Sequence, residues 1–286
     1  MTRADLDLAV DWAAAEGWNP GLHDADCFYT ADPSGFLLGW LGNDPIAAIS
    51  VVKYGEAFGF LGFYIVKPEF RGQGYGWQLW QAGLASLGDR CVGLDGVVAQ
   101  QANYLKSGFH LAYRNIRYEG HGQAEPSPPP ASPEFSQAAV NLVPVADLAL
   151  DTVLAYDRGC FPAERSAFLQ AWLQQPGSTA IAAVQADQTD QLWGYGLIRP
   201  CRQGYKIGPL FANDGAIAEA LFLALRAQVP AGEPFYLDVP EVNPDAMAIA
   251  VKYQLTNQFE TARMYRPTLP NFDTTRIFGV TSFELG

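Results

Sequence analysis

The sequence predicts an α/β (α+β) chain in two halves, each a mixed central sheet flanked by helices, with the second half a degenerate copy of the first. Three observations carry this expectation. Strand-like and helix-like runs alternate along the chain, a proline-rich stretch interrupts them near the middle, and the two sides of the interruption end in matching patterns. Of 286 residues, 49% are hydrophobic and 17% charged, enough to bury a core in each of about two domains of about 150 residues.

In the first half, residues 35–41, 46–54, 58–66, 93–98 and 110–118 read as strands, being apolar, β-branched or aromatic runs. Residues 4–16, 76–87 and 101–107 carry helical spacing. In the second half, 147–159 and 163–174 read as helices and 180–185 and 192–199 as strands, after which the alternation resumes. Between them EPSPPPASP (125–133) holds five prolines in nine residues and no apolar anchor. Neither helix nor sheet accommodates it, so domains at 1–124 and 135–286 are expected, joined by a linker at 125–134. Towards their ends, "GLDGVVAQQANYLKSGFHLAYRNIRY" (93–118) and "YLDVPEVNPDAMAIAVKYQLTNQFETARMY" (236–265) both run strand, helix, tyrosine, turn and phenylalanine. An Ala-x-Arg or Ala-Arg step follows in each, as a duplicated unit would give. Arg114 and Arg117, on the strand of the first copy, are expected to face solvent.

Charge and composition exclude several functions. A formal charge of -12, from 18 Lys and Arg against 30 Asp and Glu, leaves no basic face for nucleic acid and favours a cationic partner through long-range steering. Asp5, Asp7 and Asp11 stand where a signal peptide needs an apolar centre, and the longest uncharged apolar run, 57–66, is too short to span a bilayer. A cytoplasmic protein without membrane contact is expected. Cys27, Cys91, Cys160 and Cys201 form no C-x-x-C pair and lack a nearby histidine cluster, so reduced thiols are expected rather than a metal site.

The most informative stretch is "YIVKPEFRGQGYGWQLW" (64–80), where glycine recurs at 72, 74 and 76 between a strand and a helix whose apolar face reads Trp77, Trp80, Leu84 and Leu87. Loops of this kind hold phosphate, because unobstructed backbone N–H groups converge at the positive end of the helix dipole. A P-loop is excluded by the absence of Lys followed by Ser or Thr at the right distance, and a dinucleotide fingerprint by Trp77 in one frame and Leu79 in the other.

What remains, Arg71-x-x-Gly74-x-Gly76, resembles the acetyl-CoA motif of the GCN5-related N-acetyltransferases. Downstream, Tyr104-x-Lys106-x-Gly108-Phe109 resembles the same family. The whole chain resembles its two-part bacterial members through "AAEGWNPGLHDADCF", "GLDGVVAQQANY", "YKIGPLFA" and "FGVTSFELG". The resemblance implies acetyl-CoA as co-substrate and no metal. It implies pyrophosphate on the amides of Arg71, Gly72, Gln73, Gly74, Tyr75 and Gly76, and pantetheine pairing with the backbone of Ile65 and Val66. Tyr104 inherits the hydroxyl near the thioester sulfur and is the general-acid candidate. Val97 stands where the family often has asparagine, and Asn103, with Gln100 and Gln101, is expected to face the cofactor.

Laid over the loop, "IGPLFANDGAI" (207–217) puts Ala212 at Arg71, Asp214 at Gln73 and Ile217 at Gly76. A cation is lost, an anion appears and a Cβ intrudes, so the second half is expected to bind no acyl donor. Amide formation also needs a base and an acceptor pocket. The resemblance implies an acceptor site near the first helices, which makes Glu16, Trp18, His23, Asp24 and Asp26 the candidates, with Asp24 first for an ammonium contact, and Asp238 and Glu241 are expected to close the pocket from the second half. The expected function is N-acetyl transfer to a small amine. A protein or peptide acetyltransferase and a noncatalytic acyl-CoA sensor stay open, as does the oligomeric state.

Overall fold

The computed structural model describes residues 1–124, 140–185 and 188–286, so the expected linker at 125–134 lies outside the described residues. Helix α1 (Arg3–Ala15) starts with a reciprocal cap in which Thr2 and Asp5 bond each other's backbone N–H, and it buries Leu6, Ala9, Val10 and Ala13 along one stripe. Helix α2 (Asp24–Ala31) is too short to show a helical period, and the sequence did not reveal it. Strands β1 (Phe36–Leu41), β2 (Asp44–Tyr54) and β3 (Phe58–Val66) form an antiparallel meander. Helix α3 (Tyr75–Leu87), β4 (Cys91–Val97), α4 (Gln101–Lys106) and β5 (His110–His121) complete the first half. The face that α3 buries is Leu79, Trp80, Gly83 and Leu87; Trp77, expected in the core, is exposed.

Two features of β3 open the sheet. Its pairing with β2 slips, so that Ala48 faces Ile65 while Ser50 faces Gly62, and Phe63 in the bulge takes a φ of 45°. Left-handed backbone costs a non-glycine residue about 1–3 kcal/mol and persists where packing over-determines it; the Phe63 ring is buried, edge-on to Phe28 at 5.6 Å. The bulge bends the strand, and β3 and β4 pair in parallel only from Phe58↔Cys91 to Leu61↔Leu94. Beyond that point they part.

The second half repeats the plan. Strand β6 (Val140–Pro144) precedes α5 (Leu150–Asp157) and α6 (Ser166–Leu173), both shorter than expected. Then come β7 (Thr179–Gln185), β8 (Gln188–Pro200), β9 (Tyr205–Ala212), α7 (Gly215–Arg226), β10 (Pro234–Pro240), α8 (Pro244–Lys252), β11 (Thr256–Arg266) and β12 (Ile277–Gly279). Strands β9 and β10 pair in parallel over three residues, from Tyr205↔Phe235 to Ile207↔Leu237, and then part as β3 and β4 do.

The halves share one sheet, in the order β1-β2-β3-β4-β11-β5-β10-β9-β8-β7-β6. Each half's last long strand is exchanged: β11 inserts beside β4, and β5 lies against β10. The exchange is locked by charge. Arg263 of β11 stands opposite Asp95 of β4 and donates to its carboxylate from Nε and Nη2 at 2.8 and 2.6 Å. Arg117 of β5 stands opposite Asp238 of β10 and does the same at 2.7 and 2.8 Å. All four side chains are buried. The two aspartates occupy matching positions in the "GLD" and "YLD" segments, so each half offers the acid and receives the other half's base. Ala262 and Met264 of β11 also enter the core beneath α3. A third bidentate pair, Arg199 of β8 on Asp24 of α2 at 2.7 and 3.1 Å, ties the first helices to the second half.

This arrangement sets two outcomes for stability. Residues 1–124 alone lack β11 and leave Asp95 unpaired, so they should show no cooperative unfolding transition, whereas co-expression with 135–286 should restore one in the complex. Replacing Asp24 by Ala leaves Arg199 as a buried, unpaired cation, and should lower the unfolding free energy by about 3–5 kcal/mol, read from the urea midpoint. A loss under about 1 kcal/mol is what a solvent-screened surface pair gives, and would place the tie between the halves elsewhere.

Candidate active site

The glycine loop turns sharply between β3 and α3. Gly72 and Gly74 take φ of 75° and 85°, a conformation glycine adopts without steric cost. Gly74 is the N-cap of α3 and offers no side-chain bond. The backbone N–H groups from Gly72 to Trp77 consequently have no acceptor among the described residues, the first helical bond outside α3 being Gln78 N–H to Gly74 O. A row of free donors at a helix N-terminus is a cradle for an anion. Gly76 also lets the helix approach β3: a Cβ there would lie 2.7 Å from the Tyr64 hydroxyl.

The cradle opens on a cavity of about 410 Å3 that occupies the parting of β3 and β4. Gly62 to Val66 form one side and Leu94 to Val97 the other. Val66 O accepts from Arg71 Nε at 2.8 Å, and Arg71 also pairs with Glu16, so the arginine bridges the strand end, the loop and α1. Tyr104 lies below, its ring stacked on Trp80 at 5.4 Å and filling the space a side chain at Gly96 would take, 2.1 Å from that notional Cβ. Its hydroxyl makes no hydrogen bond to any described residue, and burial pushes the phenol well above its ordinary pKa, so it enters the cavity wall as a proton donor at neutral pH.

The matching place in the second half is filled by the chain itself. Asp214 caps α7, accepting from Ile217 N–H at 2.9 Å, and so its carboxylate sits where an anionic ligand would. Strand β12 lies in the parting of β9 and β10: Ile277 pairs with Phe211, Gly279 with Leu210, and Val280 N–H donates to Asp238 O at 2.9 Å.

Of the expected acceptor residues, Trp18 and Glu16 line the cavity. The other placements are corrections. Asp24 is fully buried on Arg199 and the Gly21 N–H, so its carboxylate is committed to the fold and does not face the cavity. Asp26 pairs with Arg3 at the surface, at 2.6 Å. Asp238 is held by Arg117; burial alone would raise its pKa, but Arg117, Lys206 and Arg199 outweigh it and hold the carboxyl below the ordinary value. Arg117, expected to face solvent, is the buried partner of Asp238, as Arg263 is of Asp95. His23 and Glu241 are not among the cavity residues, nor are the side chains of Gln73, Tyr75 and Asn103. Gln73 bonds Glu69 O, Tyr75 packs on Phe70, and Asn103 bonds Gln100, which does line the wall.

The sequence missed the residues that the second half contributes. Phe259 and Thr261 of β11, and Phe283 and Glu284 beyond β12, complete the cavity wall. Glu284 is 3% exposed, has no hydrogen bond or ion pair with any described residue, and is pushed above its ordinary pKa by burial, against the pull of Lys206. A signal existed: Glu284 is the one charge between residues 277 and 286. Among the described residues no cluster of three or more His, Cys, Asp or Glu could hold a metal, the four cysteines are free, and no helix is long and apolar enough to cross a membrane.

Comparison with known proteins agrees with this geometry. The acetyltransferase (GNAT) family matches residues 6–109, and the acetyltransferase (GNAT) domain matches residues 153–279. Holothin acyltransferase of Pseudoalteromonas sp. (strain SANK 73390) is 33% identical over 283 residues, covering 99% of this chain and 92% of that one. In structure, a candidate acetyltransferase from Pyrococcus horikoshii superposes with a TM-score of 0.79 at 20% identity, over 100% of this chain and 94% of its own. A tandem GNAT protein from the clavulanic acid biosynthesis pathway gives a TM-score of 0.61 at 16% identity, over 93% and 96%. The free amide cradle, the parted strands and the duplicated topology thus have one common explanation: the chain is a tandem member of the GCN5-related N-acetyltransferase family, with two GNAT domains, and an acyltransferase.

Proposed function

We propose that the protein transfers an acetyl group, or a related short acyl group, from its coenzyme A thioester to the amine of a compact small molecule, both substrates being bound together. The observation that carries this reading is the continuity of one cavity from the free N–H row of Gly72 to Trp77, past the parted backbones of β3 and β4, to the hydroxyl of Tyr104. A coenzyme A thioester fits that track. Its pyrophosphate suits the amide row, and its pantetheine arm suits the strand edge of Ile65 and Val66, which pair with β2 on one side only. The thioester supplies an activated acyl carbon and a thiol leaving group.

The chain's own residues do the rest. The loop amides and Arg71 bind and orient the donor. The Tyr104 hydroxyl, without an acceptor among the described residues, stands ready to donate its proton to a departing sulfur. Trp18, Phe259 and Phe283 give the acceptor side an apolar, aromatic wall, which suits a small flat amine better than an extended polar one. The relative's named substrate, holothin, is the first acceptor to try. Asp214 and β12 leave the second half without a donor site, so residues 1–124 carry the acyl donor and 135–286 complete the acceptor wall.

A thiol-release assay with acetyl-CoA and a panel of holothin, polyamines, amino acids, aminoglycosides and peptides tests the reading. Release with a compact amine is expected; release with peptides alone would turn it to a protein acetyltransferase, and none with any acceptor to a sensor. Tyr104→Phe should lower kcat by about 100-fold or more while acetyl-CoA affinity is unchanged, and an unaltered kcat would remove Tyr104 from the chemistry. Calorimetric titration with acetyl-CoA should saturate at one equivalent; two would show that the second half still binds donor.

A further inference from the structure

Among the described residues, four aspartates are buried on arginines, and one buried glutamate is not. Asp24, Asp95, Asp157 and Asp238 are each held by a bidentate guanidinium, from Arg199, Arg263, Arg165 and Arg117. Glu284 accepts no bond from any described residue, yet it lines the cavity. A buried carboxylate without a partner is costly, and such groups concentrate where the group itself is used.

Its position is fixed from both sides. The carbonyl oxygen of Glu284 lies 2.2 Å from where a Cβ on Gly62 would stand, so the segment rests on the bulge at which β3 leaves β4. The residues around it are pinned. Tyr54 Oη donates to Leu285 O at 3.1 Å, Arg165 Nη1 to Gly286 O at 3.1 Å, Arg165 Nη2 to Thr281 Oγ1 at 3.0 Å, and Leu285 N–H to Ser282 Oγ at 3.1 Å. The backbone of Glu284 is therefore held at the opening of the strands by a rigid mount, the residue lines the cavity there, and that mount belongs to the half that binds no donor.

We infer that Glu284 is the general base that takes the proton from the acceptor amine. The assignment rests on the acyl-transfer reading above. In the step it serves, the lone pair of a neutral amine forms the C–N bond to the acyl carbon as the C–S bond breaks. One N–H proton passes to the Glu284 carboxylate, and the sulfur takes the Tyr104 proton. Exchange with solvent then restores the carboxylate and the phenol. The charged groups facing Glu284 are Lys206, Arg117, Arg199 and Asp24; Asp24 and the two arginines are fixed in ion pairs, and Lys206 Nζ donates to Asn19 O at 3.0 Å. Burial outweighs the cations and raises the carboxyl, which strengthens it as a base.

The sign of the pH dependence is set by the acid form being inactive: kcat/KM for holothin with acetyl-CoA should rise with pH through the raised Glu284 pKa and then level. In Glu284→Gln that limb should disappear, with kcat down about 100-fold or more, acetyl-CoA affinity unchanged and Tm no lower, and Glu284→Asp should recover part of the rate. Without any acceptor, carboxyl 13C NMR of the wild type should show one resonance titrating above the ordinary glutamate range that is absent from Glu284→Gln. Full activity in Glu284→Gln, or a Glu284 carboxyl titrating at or below the ordinary range, overturns the assignment and leaves the acyltransferase reading intact. A wild type that transfers to no amine overturns the reading itself, and the base with it.

Discussion

The reciprocal pairing of Asp95 with Arg263 and Asp238 with Arg117 is the constraint on which the rest of the molecule depends. Each aspartate is on one half and each arginine on the other half's last strand. Because the pairs are cross-strand neighbours, they fix register as well as proximity: a slip of one residue would turn every buried arginine to the opposite face. Desolvating four charges is expensive and is offset only when geometry and hydrogen bonding are complete. A half that closed on itself would need its own arginine to reach its own aspartate. With β11 standing between β4 and β5, the exchanged arrangement satisfies both at once.

From that exchange comes a division of labour. The same supersecondary unit occurs twice, with opposite treatment of its helix N-terminus. In the first copy Gly74 leaves the amides free; in the second, Asp214 occupies them. The parted strands of the first copy enclose a cavity, and those of the second are filled by β12. The segment that fills the second cleft runs on to place Phe283 and Glu284 in the first. One copy thus keeps an open amide row and cleft, and the other, having filled its own cleft, furnishes part of that cavity's wall and a buried carboxylate without an arginine.

Much of this was legible before the fold was known, because it rests on local stereochemistry. Gly72, Gly74 and Gly76 needed only the rules for φ and for close backbone approach, and Asp214 needed only its sign. Trp77 was misjudged because helical periodicity gives one apolar stripe without saying how wide the covering sheet is; α3 buries the stripe through Leu79 and Gly83 instead. Asp24 and Asp238 depart from expectation for a different reason. A carboxylate in a loop or at a strand end looks available, and nothing local reveals that Arg199, 175 residues away, or Arg117, 121 away, will take it.

The sequence by itself determined one side of the cavity: a strand, a glycine loop with free amides and a tyrosine in one continuous stretch from Tyr64 to Tyr104, where local geometry follows from residues close in the chain. Only the tertiary structure decided the other side. Its wall is made by residues 259–261 and 283–284 reaching a cleft that begins at Gly62, and its carboxylates are sorted into paired and unpaired by arginines more than a hundred positions distant. Strand exchange makes those contacts, and exchange is a property of two halves packing together that no window along one of them contains.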